Sequence, residues 1–284
     1  MRIEEHRGRL VAAVAVLVLS AATIAGTVLV GAASPATPKA VSTSPGSPLG
    51  YSVASGGGAS TASWGAATGA YALASGKAPV DQPLATLTGA HEVFAAPDRS
   101  STRLGTVQPK RPLTGEQTVL PVLAARTGAG GLGWLRVELP GRPNGHTGWI
   151  EQRGTVSSTT PWRIVVEISK RVVLVYDAGR PVQLFDAVVG APSTPTPLGQ
   201  FFVEEDVQLS SGDVGAPFAL ALSARSTVYR VFDGGPGQVA IHGVANIGGV
   251  LGTAVSHGCV RLDAGAMSWL VLHIAPGVPV TIIP

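Results

Sequence analysis

Ser256-His257-Gly258-Cys259-Val260-Arg261-Leu262 (SHGCVRL) holds the only cysteine among 284 residues. It lies two residues after a histidine, behind a glycine and two residues before an arginine. Whether that thiol is inert packing or chemistry depends first on its compartment. From Leu10 to Gly31 the chain runs 22 residues without a charge, LVAAVAVLVLSAATIAGTVLVG. That is long enough to cross a hydrocarbon core of about 30 Å at roughly 1.5 Å per residue. Arg2, Arg7 and Arg9 precede it, which favours a cytoplasmic N-terminus. The expectation is a single-pass anchor with the body exported. A cleaved signal segment is the alternative, and it also puts the body outside. Exported cysteines are used mainly in pairs, so an unpaired Cys259 is a disulfide to nothing within its own chain.

Net charge is +3, with 13% charged residues, 37 Gly and 22 Pro. No Lys/Arg stripe supplies an electrostatic footprint for nucleic acid, so no nucleic-acid partner is expected. Residues 32–83 are Ala, Ser, Thr, Gly and Pro with few charges, a composition that cannot bury a core. They read as a disordered tether, whose root-mean-square span as a coil is about 40 Å. Residues 84–155 alternate short apolar runs (RLGTV, TVLPVLAAR, WLRVELP, TGWIEQR) with Gly, Pro and Asp turns, the pattern of a small β-barrel.

Residues 161–284 are again mostly strands. Arg163–Ile168 and Arg171–Tyr176 read as a pair, Val182–Val189 as a third strand, and Gln200–Val203 as a strand fed by a proline-dense loop. One helix is expected. Asp263 is its N-cap, Met267, Leu270, Val271 and Ile274 fall at i, i+3, i+4 and i+7, and Pro276-Gly277 stops it. Val278–Ile283 closes the domain.

A thiol attacks as the thiolate, so it needs a neighbour that takes its proton or lowers its pKa. In an extended segment His257 shares a face with Cys259, but its Cα lies about 6.5–7 Å away along the strand. His242 ends the apolar run Gln238–His242, and cross-strand Cβ atoms approach to about 4.5–5.5 Å. Geometry therefore favours His242 as base and His257 as a supporting group. Between Gly234 and Leu262 there is no Asp or Glu, so Asn246 or a backbone carbonyl is left to orient the base. Gly258 permits close approach of substrate, and amides around Gly258 and Cys259 suit an oxyanion hole. The positive end of the helix at Asp263 favours a thiolate. Arg261 either binds a substrate carboxylate or pairs with Asp263 or a carbonyl.

At these positions the sequence resembles the L,D-transpeptidase catalytic domain family of bacterial cell-wall enzymes. The resemblance rests on His242-Gly243, Ser256-His257-Gly258-Cys259-Val260-Arg261 and the Thr-Pro-x-Gly-x-aromatic loop Thr196-Pro197-Leu198-Gly199-Gln200-Phe201. Many relatives carry Ser or Thr after the upstream histidine, where this chain has Gly243. The resemblance implies a mainly β fold, an L,D-transpeptidase-type β-sandwich with one short helix after the cysteine. The preceding barrel resembles bacterial SH3-like domains. It also implies Cys259 as acylated nucleophile, His242 as base oriented by the Gly243 carbonyl, and His257 and Gly258 at the oxyanion site. Ser256 and Arg261 would support the loop, and residues 204–230 fall where relatives place a substrate-covering lid, though their residues match nothing in it closely enough to carry a role over. No cofactor is implied. The implied substrates are peptidoglycan stem peptides, joined 3→3 through a thioester, with carbapenem-type β-lactams as covalent inhibitors and the membrane reached through the N-terminal helix. Alternatives from other classes are an L,D-carboxypeptidase, an NlpC/P60-type peptidase with His273 as its histidine, a zinc site on His242, His257 and Cys259, and a non-catalytic wall-binding protein.

Overall fold

Seven short strands built on alternating residues form the first layer: β1 (Gln82–Leu87), β2 (His91–Phe94), β3 (Arg103–Val107), β4 (Val119–Thr127), β5 (Gly133–Glu138), β6 (Thr147–Glu151) and β7 (Thr155–Thr160). In the computed structural model, which describes residues 81–284 with Asp233 excepted, they hydrogen-bond in the order β3-β2-β6-β5-β4-β1-β7, each pair antiparallel. The expected anchor and tether lie outside the described residues. Period-2 alternation sends Leu87, Leu120, Val137 and Ile150 into one core. Both nitrogens of His91 are occupied by carbonyls, of Gly89 and Arg153, so this histidine is structural. The sheet continues to Thr160, because β7 pairs with β1 over the whole of its length.

The second layer comprises β8 (Trp162–Glu167), β9 (Val172–Asp177), β10 (Arg180–Asp186), β11 (Val189–Gly190), β12 (Gly199–Gln208), β13 (Phe218–Arg225), β14 (Gln238–Gly243), β15 (Ala254–Ser256), β16 (Val260–Leu262), helix α1 (Ala264–His273) and β17 (Pro279–Ile283). The order is β10-β9-β8-β17-β12-β13-β14-β16, with β11 and β15 forming a separate parallel pair. The β8/β9 hairpin is antiparallel as the sequence suggests, and β17 joins β8 in parallel. Asp263 caps α1 by accepting from the Ala266 amide at 2.8 Å, and Met267, Leu270 and Ile274 bury its apolar stripe. The described residues are mainly β with one helix longer than a turn, the helix expected after the cysteine.

The stretch 204–230, where relatives place a lid, is about half strand. Residues 204–208 continue β12 and 218–225 form β13, so only the connections 209–217 and 226–237 remain outside strands. The acids Glu204 and Glu205 of β12 are both buried. Arg111 and Arg225 flank Glu204, and the amides of Leu113 and Thr114 donate to Glu205 at 3.0 and 2.9 Å. Strand alternation places Phe201 and Val203 in the second core, while Phe202 between them enters the first core. One strand thus rivets the two layers together, and all the described residues fall in one compact unit.

Candidate active site

Strand β16 is the edge of the eight-stranded sheet and pairs in parallel with β14 through Ile241↔Val260, His242↔Arg261 and Gly243↔Leu262. Cys259 immediately precedes β16, one residue beyond that register, and a backbone hydrogen bond from Ala240 reaches its thiol. The sequence reading made the two segments neighbouring strands, and they are. The residue directly opposite His242 is Arg261, however, so Cys259 sits one step diagonally along the ladder. Residues two apart share a face, so Ala240 and His242 of β14 and Cys259 and Arg261 of the facing segment lie on one side.

His242 is buried, with its Nδ1 2.8 Å from the Gly243 carbonyl. That contact assigns the proton to Nδ1 and leaves Nε2 with its lone pair. Burial pulls its pKa down to about 4, more than the Gly243 bond raises it, and Arg261 lowers it further. The half-buried Cys259 is shifted the other way. Burial pushes its thiol above the ordinary value, against smaller lowering effects from the Ala240 bond and Arg261. The resting pair is a neutral thiol and a neutral imidazole. The expected thiolate favoured by the α1 terminus is overridden by desolvation, which penalises the charged form of both groups.

Two connections hold this pair. In the first, Thr194 Oγ1 donates to the Ser256 carbonyl at 3.0 Å, and the Ala191 amide donates to the same oxygen at 2.8 Å. Thr196 Oγ1 accepts from the Gly190 amide at 2.9 Å. Ser256 Oγ accepts from the Gly258 amide at 3.1 Å and donates to the Cys259 carbonyl at 2.5 Å, closing the turn that carries the sulfur. Gly258 has φ +121°, a backbone conformation that disfavours L side chains. The proline-dense loop that seemed only to feed β12 therefore braces the cysteine turn.

The second connection is 209–217. Gly215 donates its amide to the Ala245 carbonyl at 2.8 Å and accepts from the Gly243 amide at 2.7 Å. A Cβ at Gly243 would stand 1.9 Å from the Ala216 carbonyl, and one at Gly215 (φ +84°) would stand 2.6 Å from His242 Nδ1. The imidazole and this loop fit only because both positions lack side chains. Gly215 carried no motif in the sequence, and its role is visible only in three dimensions.

Three further candidates lie around this pair. His257 is exposed, with its ring 6.1 Å from that of Tyr229 and 5.7 Å from that of Phe232, at the surface of 226–237. Asn246 does not orient the base. Its amide donates to the carbonyls of Ser211 and Asp213 at 2.9 and 2.8 Å and pins 209–217 from the other side. Arg261 is buried and donates to the Gly248 carbonyl at 3.1 Å, so among its alternatives the carbonyl is the partner found. His273 stacks on Trp269 at 4.0 Å, and its Nδ1 is 2.8 Å from the Trp269 carbonyl, so the helix itself occupies that nitrogen. Among the described residues no three of His, Cys, Asp and Glu are grouped to hold a metal.

Residues 161–282 match the family model described as the L,D-transpeptidase catalytic domain, YkuD. The L,D-transpeptidase YkuD of Bacillus licheniformis is 30% identical over 126 residues, which is 44% of this chain and 68% of that protein. L,D-transpeptidase 1 of Mycobacterium tuberculosis is 28% identical over 131 residues, covering 42% of this chain and 49% of that protein. Among solved structures, an L,D-transpeptidase from Mycobacterium smegmatis shares 19% identity, with a TM-score of 0.35, over 58% of this chain and 99% of that one. The chain belongs to the L,D-transpeptidase catalytic domain family.

Proposed function

We propose that this chain is a peptidoglycan L,D-transpeptidase with Cys259 as its nucleophile and His242 as its general base. What carries the reading is the β14–β16 ladder, which seats the lone thiol diagonally across from an imidazole whose Nδ1 is held by the Gly243 carbonyl. As Cys259 Sγ attacks the carbonyl of the third residue of a tetrapeptide stem, its proton passes to His242 Nε2. That proton then goes to the departing amine of the terminal D-alanine, leaving a thioester. The side-chain amine of a neighbouring stem attacks the thioester, His242 accepts and returns the proton, and a 3→3 amide forms with the thiol restored. Because Ser256 Oγ already engages the Gly258 amide, the oxyanion is assigned to the amide of Cys259. A neutral pair suits this sequence, since no ion pair must be dismantled before attack.

Carbapenems fit the same site, because a strained cyclic amide acylates a thiol by the same first step. The anchor and tether would place this chemistry outside the membrane. The β1–β7 layer is read as an SH3-like module that spaces and orients the second layer. Hydrolysis of the same thioester by water remains the competing outcome. Intact-protein mass spectrometry decides the matter. A stem or carbapenem adduct should map to Cys259 and vanish in Cys259→Ala, and muropeptide analysis should show the cross-link. An adduct elsewhere, or cross-linking by Cys259→Ala, would overturn the assignment.

A further inference from the structure

Where the two layers meet, a cavity of about 520 Å³ opens between the β5–β6 connection and the start of 226–237, lined by Arg142, Asn144, Arg225, Ser226 and Arg230 among others. Such a volume lies in the range of small-ligand sites. Its polar groups divide into two sets. Asn144 is committed to the backbone of Arg225, donating to its carbonyl and accepting from its amide, both at 2.8 Å. Arg225 is buried and paired with Glu204 at 3.0 Å. Arg142 donates through Nη2 to the carbonyls of Ser226 and Tyr229 at 2.8 and 2.9 Å, but its Nη1 is buried with no hydrogen-bond partner. Arg230 is exposed at the rim. Burial, and after it the field of Arg230 and Arg225, holds Arg142 below its ordinary pKa, and Arg142 and Arg230, in no ion pair among the described residues, leave positive charge here in excess.

We propose that this cavity is a carboxylate-binding subsite for the stem peptide, with Nη1 of Arg142 and the guanidinium of Arg230 as its donors. A planar guanidinium fork matches a carboxylate bidentately, and a buried donor without an acceptor costs free energy that an incoming oxyanion recovers. The choice of a stem follows from position and rests on the transpeptidase reading above. The cavity lies at the root of 226–237, and Tyr229 and Phe232 of that connection pack on His257, two residues before the sulfur. A peptide carrying several free carboxylates and acylated on Cys259 would bring one of them to this end of the site. The first layer, through Arg142, would then supply part of substrate recognition.

The test uses the full chain in two backgrounds. With Cys259→Ala, calorimetry compares a soluble tetrapeptide stem, the same stem with its carboxylates converted to amides, and a poly(glycerol phosphate) probe. Arg230→Gln should weaken the acidic stem about tenfold, leave the amidated stem unaffected, and reduce the salt dependence of stem binding. Arg230→Lys should restore part of the loss. With Cys259 intact, Arg230→Gln should raise KM for the stem with kcat little changed, and alkylation by neutral iodoacetamide should be unaltered. Equal affinity for acidic and amidated stems would overturn the proposal. So would an unchanged stem affinity in Arg230→Gln, or tight binding confined to the phosphate polymer. If the stem binds as described but never acylates Cys259, the transpeptidase reading fails and the subsite stands. If Cys259 acylates and Arg230 has no effect, only the subsite fails.

Discussion

Strands β12 to β16 carry two buried polar centres, and they solve desolvation in opposite ways. At the junction of the layers, Glu204 is flanked by Arg111 and Arg225, while Glu205 accepts from two amides and the Thr114 hydroxyl. Charge there is kept and compensated. At the sheet edge, His242 and Cys259 have backbone groups as hydrogen-bond partners and no carboxylate, and burial drives both to their neutral forms. Paired charges fix a geometry, because removing one partner strands the other. Neutral groups held by the backbone stay free to exchange a proton. The molecule thus uses its ions for assembly and keeps the candidate catalytic pair uncharged.

The largest expected effect breaks the neutral centre. His242→Gln should lower stem transfer by about a thousandfold, within the usual range for loss of a general base, while the unfolding temperature moves little. In the native chain the acid limb of kcat/KM should lie near pH 4, where His242 titrates, rather than at its ordinary 6.5. Alkylation of Cys259 should go on rising above pH 9 because its thiol is shifted upward. An acid limb near 6.5 with an alkylation plateau at neutral pH would mean an ion pair, and the contrast between the centres would fall. Next in size is Glu204→Gln, which leaves Arg111 and Arg225 without their shared carboxylate. It should cost about 3 kcal/mol in urea unfolding and leave iodoacetamide alkylation at its native rate. A loss under about 1 kcal/mol would show that the junction is not the charged anchor described here.

Gly243→Ser sharpens the same contrast by asking how tightly the backbone holds the imidazole. The family resemblance makes Ser or Thr ordinary at this position, but here a Cβ meets the Ala216 carbonyl at 1.9 Å. Displacing 215–217 should cost about 2 kcal/mol, as overpacking does, and should lower transfer more than tenfold by releasing the imidazole. Full activity in Gly243→Ser would show that the loop yields easily and is not a support.

What the sequence revealed and what it hid follow the same division. The lone thiol, the upstream histidine, the Asp263 cap and the β8/β9 hairpin were all legible, because each is set by local spacing or by a compact motif. The paired acids of β12 were not. Nothing local marks Glu204 and Glu205 as buried; Arg111, more than ninety residues upstream, and Arg225 compensate Glu204, and the amides of Leu113 and Thr114 hold Glu205. Asn246 was weighed as a partner for His242 on residue type, whereas its φ of 59° and its bonds to Ser211 and Asp213 give it a turn-holding role. The directions of the pKa shifts were hidden for the same reason, since burial is a property of the packed sheet and not of the motif.

The smallest expected effect concerns a third acid at the junction, Asp206, which has no arginine. Its amide donates to Glu116 at 3.2 Å, one of its carboxylate oxygens is buried without a partner, and burial together with the Glu116 charge raises its pKa to about 7. A carboxyl shifted upward on folding favours the protonated native state. Its stabilising contribution is therefore complete below its ordinary value of 3.8 and is lost as pH rises from about 4 to about 7. His242, shifted downward, has the opposite slope between about 4 and 6.5, so comparing two chains that both contain it cancels its part. Asp206→Asn should gain on the native chain by about 1 kcal/mol or more between pH 4 and pH 8, while the cost of its own unbonded amide oxygen is the same at both. If the two chains instead differ equally at both pH values, Asp206 is as well compensated as Glu204, and the junction holds its acids by one rule rather than two.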